Sequence, residues 1–556
     1  MTVSTARRYW ETLRHLKVRQ VLGRVRFAAT TPHVGMGPAP GRRALAADRW
    51  VMPARRAACL VGDRTFRLLG RTRSLEEHGW DDPSVERLWR YHLHYFDDLN
   101  AESATARRDA HTALIDEWIA TNPLTAGTGW EPYPTSLRLV NWIKWCLSGH
   151  ELSPRAEHSL AVQARWLERR LEWHLLGNHL FANAKALIFA GLFFDGPEAT
   201  RWLTTGMRVL TEQIPEQILE DGGHFERSPM YHALALEDLL DLVNLSQCPV
   251  ARPDGGAMPP PEWRSRVPAM RAWLRAMCHP DGEIAFFNDA AIEIAPAPRE
   301  LDRYAEALGF PPVTPASPAM LRLEPSGYVR LARGLAVAML DVGIVGPDYL
   351  PGHAHADTLS FELSVFGRRV LSNSGTSTYE SGAERQRQRG TAAHNTVIVD
   401  DEDSSEVWAA FRVARRARPS AVVVNEGAWS SVACSHDGYT RLPGRPVHHR
   451  EWQLDEGALV VADHVSGTFG HAVARFHFHP TATPRAGDDP RTGTVTIPGC
   501  PPVTWRVEAG RAVLEPATSH PRFGESEPTT CLAVRLTDAR SRVRFTWAQA
   551  PCTSSS

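Results

Sequence analysis

No apolar run in this chain approaches the ~18 residues that a membrane-spanning helix requires. The N-terminus, Met1-Thr-Val-Ser-Thr-Ala-Arg-Arg-Tyr-Trp, is basic but lacks the apolar stretch of a secretory signal. The expected location is therefore cytoplasmic, with peripheral contact through the Arg/Lys-rich segment Arg14–Arg26 still open. Net charge is missing too. The 62 Lys and Arg nearly balance the 63 Asp and Glu, for a formal charge of −1. That excludes the basic footprint of a nucleic-acid binder, though not a local basic cleft for an acidic substrate. There is no CxxC pair. The 8 cysteines, at positions 59, 146, 248, 278, 434, 500, 531 and 552, lie far apart. This spacing excludes a zinc ribbon or thioredoxin-like motif and suits reduced, structural thiols.

What is present is an ordinary globular composition, 43% apolar and 22% charged, in a length that calls for two or three domains. The texture divides the chain. Residues 1–85 are mixed, with a Pro/Gly-rich loop near Thr31–Arg43. Residues 86–315 carry apolar residues at helical spacing, as in Leu88–Phe96, Ser136–Leu147, Ala184–Phe194, Leu234–Val243 and Met270–Met277. Helices of similar length joined by loops predict a toroid or solenoid of helical hairpins. Residues 316–556 read as short strands separated by Gly, Pro and Asp, among them Tyr328–Arg333, Arg368–Ser372, Thr396–Asp400, Ala458–Asp463 and Ala533–Leu536. That is the pattern of an antiparallel β-sandwich. The fold class is thus α then β, with a cleft between the halves able to collect residues from both.

The densest chemistry lies in Pro351-Gly-His353-Ala-His355-Ala-Asp357. In an extended segment the three polar side chains would share one face at a strand entrance. Imidazole titrates near neutral pH and binds metals, so the motif suggests proton transfer, a metal site, or one histidine for each.

Four segments, in order, resemble the heparinase II/III-like polysaccharide lyases: Gly177-Asn178-His179-Leu-Phe-Ala-Asn183, Asp221-Gly-Gly-His224-Phe-Glu226-Arg227-Ser-Pro-Met-Tyr231-His232, Gly352-His353-Ala-His355-Ala-Asp357, and Ala393-His394-Asn395-Thr-Val-Ile-Val-Asp400. The resemblance implies an incomplete (α/α) toroid followed by an antiparallel β-sandwich, with the active site in the cleft between them. It also implies β-elimination on a uronate-containing polysaccharide or oligosaccharide. Such chemistry needs charge stabilisation at the carboxylate, a base at C5 and an acid for the leaving oxygen.

On this resemblance Asn178, assisted by His179, binds the uronate carboxylate, and Tyr231 and His353 share the proton transfers. From the residues alone, Gly-Asn-His reads equally well as a helix cap. Tyr231 needs nearby cations to act as a base, because a phenol titrates near pH ~10. Arg227 and His232 are the neighbours that could supply them and contact substrate. Arg227 would share a helical face with Tyr231. The resemblance further implies a structural zinc held by His355, His394 and a carboxylate. Asn373 stands at the carboxylate position, where an amide is a poorer ligand, and Asp357 is a substitute. No organic cofactor is implied. Trp130, Glu131, Tyr133 and Arg138, in Thr128-Gly-Trp-Glu-Pro-Tyr-Pro-Thr-Ser-Leu-Arg, are candidate sugar contacts, with packing between helices as the alternative for Trp130. Arg385, Arg387 and Arg389 could line an extended loop near an anionic chain. Two competing functions stay open. One is a glycoside hydrolase using a carboxylate pair drawn from Asp221, Glu226 and Asp289. The other is a non-catalytic protein of glycan binding or exopolysaccharide assembly.

Overall fold

Proline opens six helices of the first half: Pro132–Leu147, Pro154–Arg169, Pro197–Gln217, Pro229–Gln247, Pro261–Ala276 and Pro298–Ala307. At the first helical position proline's missing N–H costs nothing and its fixed φ is already helical. The computed structural model describes residues 3–44, 47–248, 260–313 and 318–548. Arg87–Tyr95, Arg108–Thr121 and Gly177–Phe193 complete the main helical set. Each segment expected to be helical falls within one of these helices or overlaps it closely.

The helix Gly177–Phe193 is apolar nearly all round and is buried by its neighbours. Its closest partner is Pro197–Gln217, and two glycines permit the approach. A Cβ on Gly191 would stand 2.6 Å from the Leu203 nitrogen, and one on Gly206 2.6 Å from the Ala184 carbonyl oxygen. The buried indoles Trp118, Trp142, Trp145 and Trp202 fill the same core. The fully buried lining of this layer gives the rigid wall that the site requires.

The second half is antiparallel sheet. Five consecutive strands, Met320–Leu323, Tyr328–Arg333, Ala336–Asp341, Phe361–Val365 and Arg368–Leu371, form a meander. An eight-stranded sheet is centred on Val447–Leu454, Ala458–Ser466 and Arg540–Thr546. A four-stranded sheet joins Arg511–Ser519, Glu527–Arg535, Ala472–His477 and Val397–Val399. Burial alternates strictly along Ser430–His436 and Val447–Leu454, as one-face-in strands demand. The inward residues, Trp452, Val461, Phe476 and Phe545 among them, make one core. The expected boundary between residues 315 and 316 lies outside the described residues.

The halves are knitted together through Arg227 and Tyr328. Arg227 Nε donates to the Ser326 carbonyl at 2.9 Å, and the Tyr328 hydroxyl donates to the Arg227 carbonyl at 2.6 Å. The N-terminal segment straps both halves. The helix Val3–Leu13 lies on the sandwich side, with Tyr9 edge-on to Trp408 at 4.9 Å, and the helix Val18–Ala29 lies on the toroid. A small three-stranded sheet, Leu60–Gly62, Thr65–Leu68 and Arg71–Ser74, completes the mixed region.

Candidate active site

Two helix starts point at the cleft. The helix Gly177–Phe193 starts from Leu176 and its own first residue, Gly177, both at positive φ (66° and 54°). For leucine this is a costly conformation, and it is imposed where the chain turns into the site. Asn178 is the second residue of this helix and not its cap; the cap position is Leu176, with no side-chain cap bond. The Asn178 side chain is hydrogen-bonded to Tyr133 and lines the cleft beside His179. The second start is Pro229–Gln247. Ser228 caps it by accepting the Tyr231 N–H at 3.2 Å. This places Tyr231 in the first turn, aimed into the same cleft. Both helix N-termini contribute positive potential where an anionic group would sit.

His353 comes from the sandwich half. Its ring stacks on Tyr231 with centroids 3.9 Å apart and 15° between planes. The two assigned proton carriers, distant in sequence, are in contact. His353 Nδ1 pairs with Glu226 Oε2. A carboxylate on Nδ1 fixes the proton there and leaves Nε2 as the basic nitrogen, which is the orienting logic of a catalytic dyad. Burial alone would raise the Glu226 carboxyl, but the His353 imidazole, with His224 and His179, holds it below the usual range. The Tyr231 hydroxyl shares a 2.9 Å hydrogen bond with that of Tyr379. Burial, then Tyr379 and Asp289, push the Tyr231 phenol well above its ordinary value. That direction favours the protonated phenol. His179 Nδ1 lies 3.1 Å from Glu172 Oε1. Burial, the largest influence, works to lower the His179 pKa, yet Glu172, Glu226 and Glu131 outweigh it and raise the pKa. Glu172 is itself held by the Asn183 amide at 3.0 Å.

The cleft encloses about 590 Å³ and is lined by residues of both halves, including Tyr133, Asn178, Tyr231, Leu350, His353 and Tyr379. That volume suits a small saccharide. Tyr133 is the only expected sugar contact among Trp130, Glu131, Tyr133 and Arg138 that lines it. Glu131 sits at the rim, bonded to Tyr91 and Arg87.

The remaining expected contacts lie elsewhere. Trp130 is buried and donates its indole N–H to the Asn122 carbonyl at 3.2 Å, so packing accounts for it. Arg138 is buried under Trp118, its guanidinium 3.8 Å from the ring centroid, and bonds to Gln163 and the Gly129 carbonyl. Arg227 precedes the Ser228 cap in a left-handed conformation (φ 58°) and turns away from Tyr231 to bind carbonyls at the domain junction. His232 bonds to the Met270 carbonyl at 2.9 Å, and burial pushes it down to about 3. No cation from either residue reaches the phenol. The series Arg385, Arg387 and Arg389 is helical, within Ala383–Arg389, and Arg385 and Arg389 are buried.

The segment Pro351–Asp357 is a loop, not an extended strand, so its polar residues do not share a face. His353 opens to the cleft. His355 is fully buried behind it, with Nε2 2.8 Å from Asp289 Oδ1. Asp357 accepts the Asn288 N–H at 3.1 Å. Asp289 also receives both terminal nitrogens of Arg385, one at 2.7 Å, and its own N–H donates to the His353 carbonyl at 2.9 Å. Burial opposes ionisation of Asp289, but Arg385 and His355 hold its carboxyl far below the usual range.

The implied zinc does not fit this donor set. His355 Nδ1 and His394 Nε2 lie 3.3 Å apart, a spacing that a direct N–H to N bond explains. Asn373 is committed to other partners, its oxygen accepting the Asn395 N–H at 3.0 Å and its amide nitrogen 3.4 Å from Ser360 Oγ. Two imidazoles and an engaged amide fall short of the four ligands of a structural zinc. Among the described residues no group of three or more His, Cys, Asp or Glu stands where it could hold a metal. Three residues central to the geometry escaped sequence reasoning in these roles: Glu226 as partner of His353, Tyr379, and Glu172. Glu226 alone carried a signal, standing between His224 and Tyr231.

Residues 146–311 match the family described as heparinase II/III N-terminus, and residues 315–548 match heparinase II/III-like, C-terminal. A heparin-sulfate lyase of Bacteroides stercoris is 26% identical over 247 residues, covering 41% of this chain and 36% of that enzyme. The chain thus matches 36–42% of the length of the heparin-sulfate lyases it resembles. FtsZ-localized protein C of Caulobacter vibrioides is 26% identical over 469 residues, covering 77% of this chain and 75% of its own length. The crystal structure of heparinase III superposes with a TM-score of 0.70 at 18% identity, covering 97% of this chain and 90% of that one. That likeness establishes the toroid-plus-sandwich architecture. Matched through both halves in their proper order, this chain belongs to the heparinase II/III-like family.

Proposed function

We propose that the protein is a polysaccharide lyase that cleaves a uronate-containing glycan or oligosaccharide by β-elimination in this cleft. One observation carries the reading: an amide (Asn178), a phenol (Tyr231) and an imidazole (His353) from opposite halves of the chain line one saccharide-sized cavity. The Asn178 amide and a cationic His179, backed by two helix N-termini, hold the uronate carboxylate and stabilise the charge that builds there as C5 loses its proton. His353, oriented by Glu226, takes that proton on Nε2. Tyr231, protonated and bonded to Tyr379, delivers a proton to the departing O4 as the C4–O4 bond breaks and the C4=C5 bond forms. The raised pKa of His179 beside Glu172 and the raised pKa of the Tyr231 phenol support this division of roles.

The hydrolase alternative is not favoured. Asp289 is locked by Arg385, and Asp221 is spent on the N–H groups of Gly223 and Ser326 and on the Ser326 hydroxyl. Glu226 then has no partner among the candidates for a carboxylate pair across the bond.

The test is incubation with a panel of uronate polymers and their short oligosaccharides. β-Elimination raises ultraviolet absorbance through the conjugated 4,5-unsaturated uronate. New reducing ends without that absorbance would assign a hydrolase, and binding without either product would assign a glycan-binding protein.

A further inference from the structure

The helix Val18–Ala29 wears its apolar face outward. It is fastened to the toroid by a narrow opposite face. Gln20 is buried there, and the Phe27 ring lies 4.2 Å from that of His174. Gly23 lets the backbones touch; a Cβ on it would stand 2.9 Å from the His174 nitrogen. The solvent side carries Val18, Val21, Leu22 and Val25, exposed by 73%, 48%, 64% and 63%. Their spacing of i, i+3, i+4 and i+7 makes one continuous stripe. On the helical wheel Arg19 and Arg26 fall along one margin of the stripe and Lys17 and Arg24 along the other. Lys17 and Arg19 are paired with Glu216 of the toroid, and Arg19 also lies 3.8 Å from Glu212, whereas Arg24 on one margin and Arg26 on the other form no ion pair among the described residues. The preceding helix adds Trp10, 66% exposed, and Leu13, 49% exposed. From Thr5 to Ala29 there are seven Arg and Lys against a single acidic residue, Glu11.

We propose that this helix docks the protein on a bilayer surface carrying anionic lipids. A soluble helix turns its Val and Leu to the core; this one turns them away. A stripe of aliphatic side chains bordered on both sides by cations matches a plane that is apolar at depth and negative at its surface. An exposed tryptophan on the preceding helix matches the interfacial preference of indole. A protein groove could also accept four apolar anchors, but it would not call for cations along both margins. The placement also bears on the cleft. The Gln20 amide donates to the Tyr349 carbonyl at 3.2 Å, and the next residue, Leu350, lines the cleft wall. Docking through this helix would hold the cleft beside the bilayer.

Co-sedimentation of the full chain with vesicles tests this. The protein is expected to pellet with phosphatidylcholine vesicles containing phosphatidylglycerol, and to stay in solution with phosphatidylcholine alone or at high salt. The double variants Leu22→Asp/Val25→Asp and Arg24→Glu/Arg26→Glu should each cut the bound fraction about tenfold or more, at an unchanged melting temperature. Because all four positions point to solvent, unaltered melting separates lost docking from lost folding. Equal pelleting with both vesicle types, none with either, or wild-type binding by the variants would overturn the proposal. So would a wild-type dimer that Leu22→Asp/Val25→Asp splits without any vesicle binding, which would assign the stripe to a second copy of the chain.

Discussion

His353 and His355 are separated by one residue and live in different electrostatic worlds. The His353 side chain is 15% exposed, stacked on a phenol and paired with a single carboxylate. The His355 side chain is sealed at 0% exposure against a carboxylate already saturated by a guanidinium. Burial drives His355 down to about 4 and His394 down to about 3, so both are neutral parts of the scaffold. The contrast teaches that a His-x-His motif does not define one site. What distinguishes the two rings is the partner on the second nitrogen and the access of the first. The sealed cluster supports the open one directly, because Asp289 holds the His353 backbone.

The sharpest way to break this comparison is to mutate the open pair. His353→Ala and Tyr231→Phe should each lower kcat by about 10²–10⁴-fold, with thermal unfolding close to that of the parent. Full activity in either would remove the assigned proton carriers. Glu226→Gln should produce a loss of similar order by releasing the His353 tautomer. A steady-state assay with substrate in excess distinguishes that loss from weaker binding.

The sealed cluster should respond in stability first. Asp289→Ala leaves the Arg385 charge buried and unpaired, at a cost of about 3–5 kcal/mol, read by chemical denaturation. A neutral effect there would mean that the Arg385–Asp289 pair does not stabilise the loop.

His179 predicts a smaller effect with a defined sign. Its pKa is raised in the folded protein, so the protonated form is the stabilised one. The stabilisation is fully present below the unfolded value near ~6.5 and is lost as pH rises through the raised folded value. Uronate binding should weaken over the same alkaline window. His179→Gln should raise KM at neutral pH and flatten its alkaline rise, whereas an unchanged KM profile would remove His179 from carboxylate binding. The smallest effect is expected from chelation. EDTA should leave both activity and melting temperature unaltered, because His355 and His394 contact each other directly and Asn373 is engaged by Asn395 and Ser360. A melting point lowered by EDTA and restored by zinc would contradict that reading.

Much of the fold was legible because it rests on local signals. Apolar residues at helical spacing marked Pro132–Leu147 and Pro229–Gln247, and short runs of strand formers bounded by Gly, Pro and Asp marked Tyr328–Arg333 and Ala458–Ser466. The site was legible in part. Asn178, Tyr231 and His353 converge as the resemblance implied, whereas Trp130, Arg138, Arg227 and His232 were drawn inward. Charged and aromatic residues near a motif look like ligand contacts because such residues are seldom fully buried. Here Arg138 finds an indole face, and Arg227 finds backbone carbonyls at the domain junction, neither of which leaves a trace in local sequence. The Glu226–His353 and Arg385–Asp289 pairs span 127 and 96 residues. No periodicity encodes contacts of that range. They arise from closing the toroid onto the sandwich.

The most direct test is the mass of the fragments released from a defined uronate oligosaccharide by the wild-type protein and by His353→Ala. Elimination predicts that the fragment masses sum to that of the substrate, the new non-reducing end being unsaturated, and that the His353→Ala variant releases almost none. Fragments whose summed mass exceeds the substrate by one water, or unsaturated product formed equally well without His353, would contradict the account.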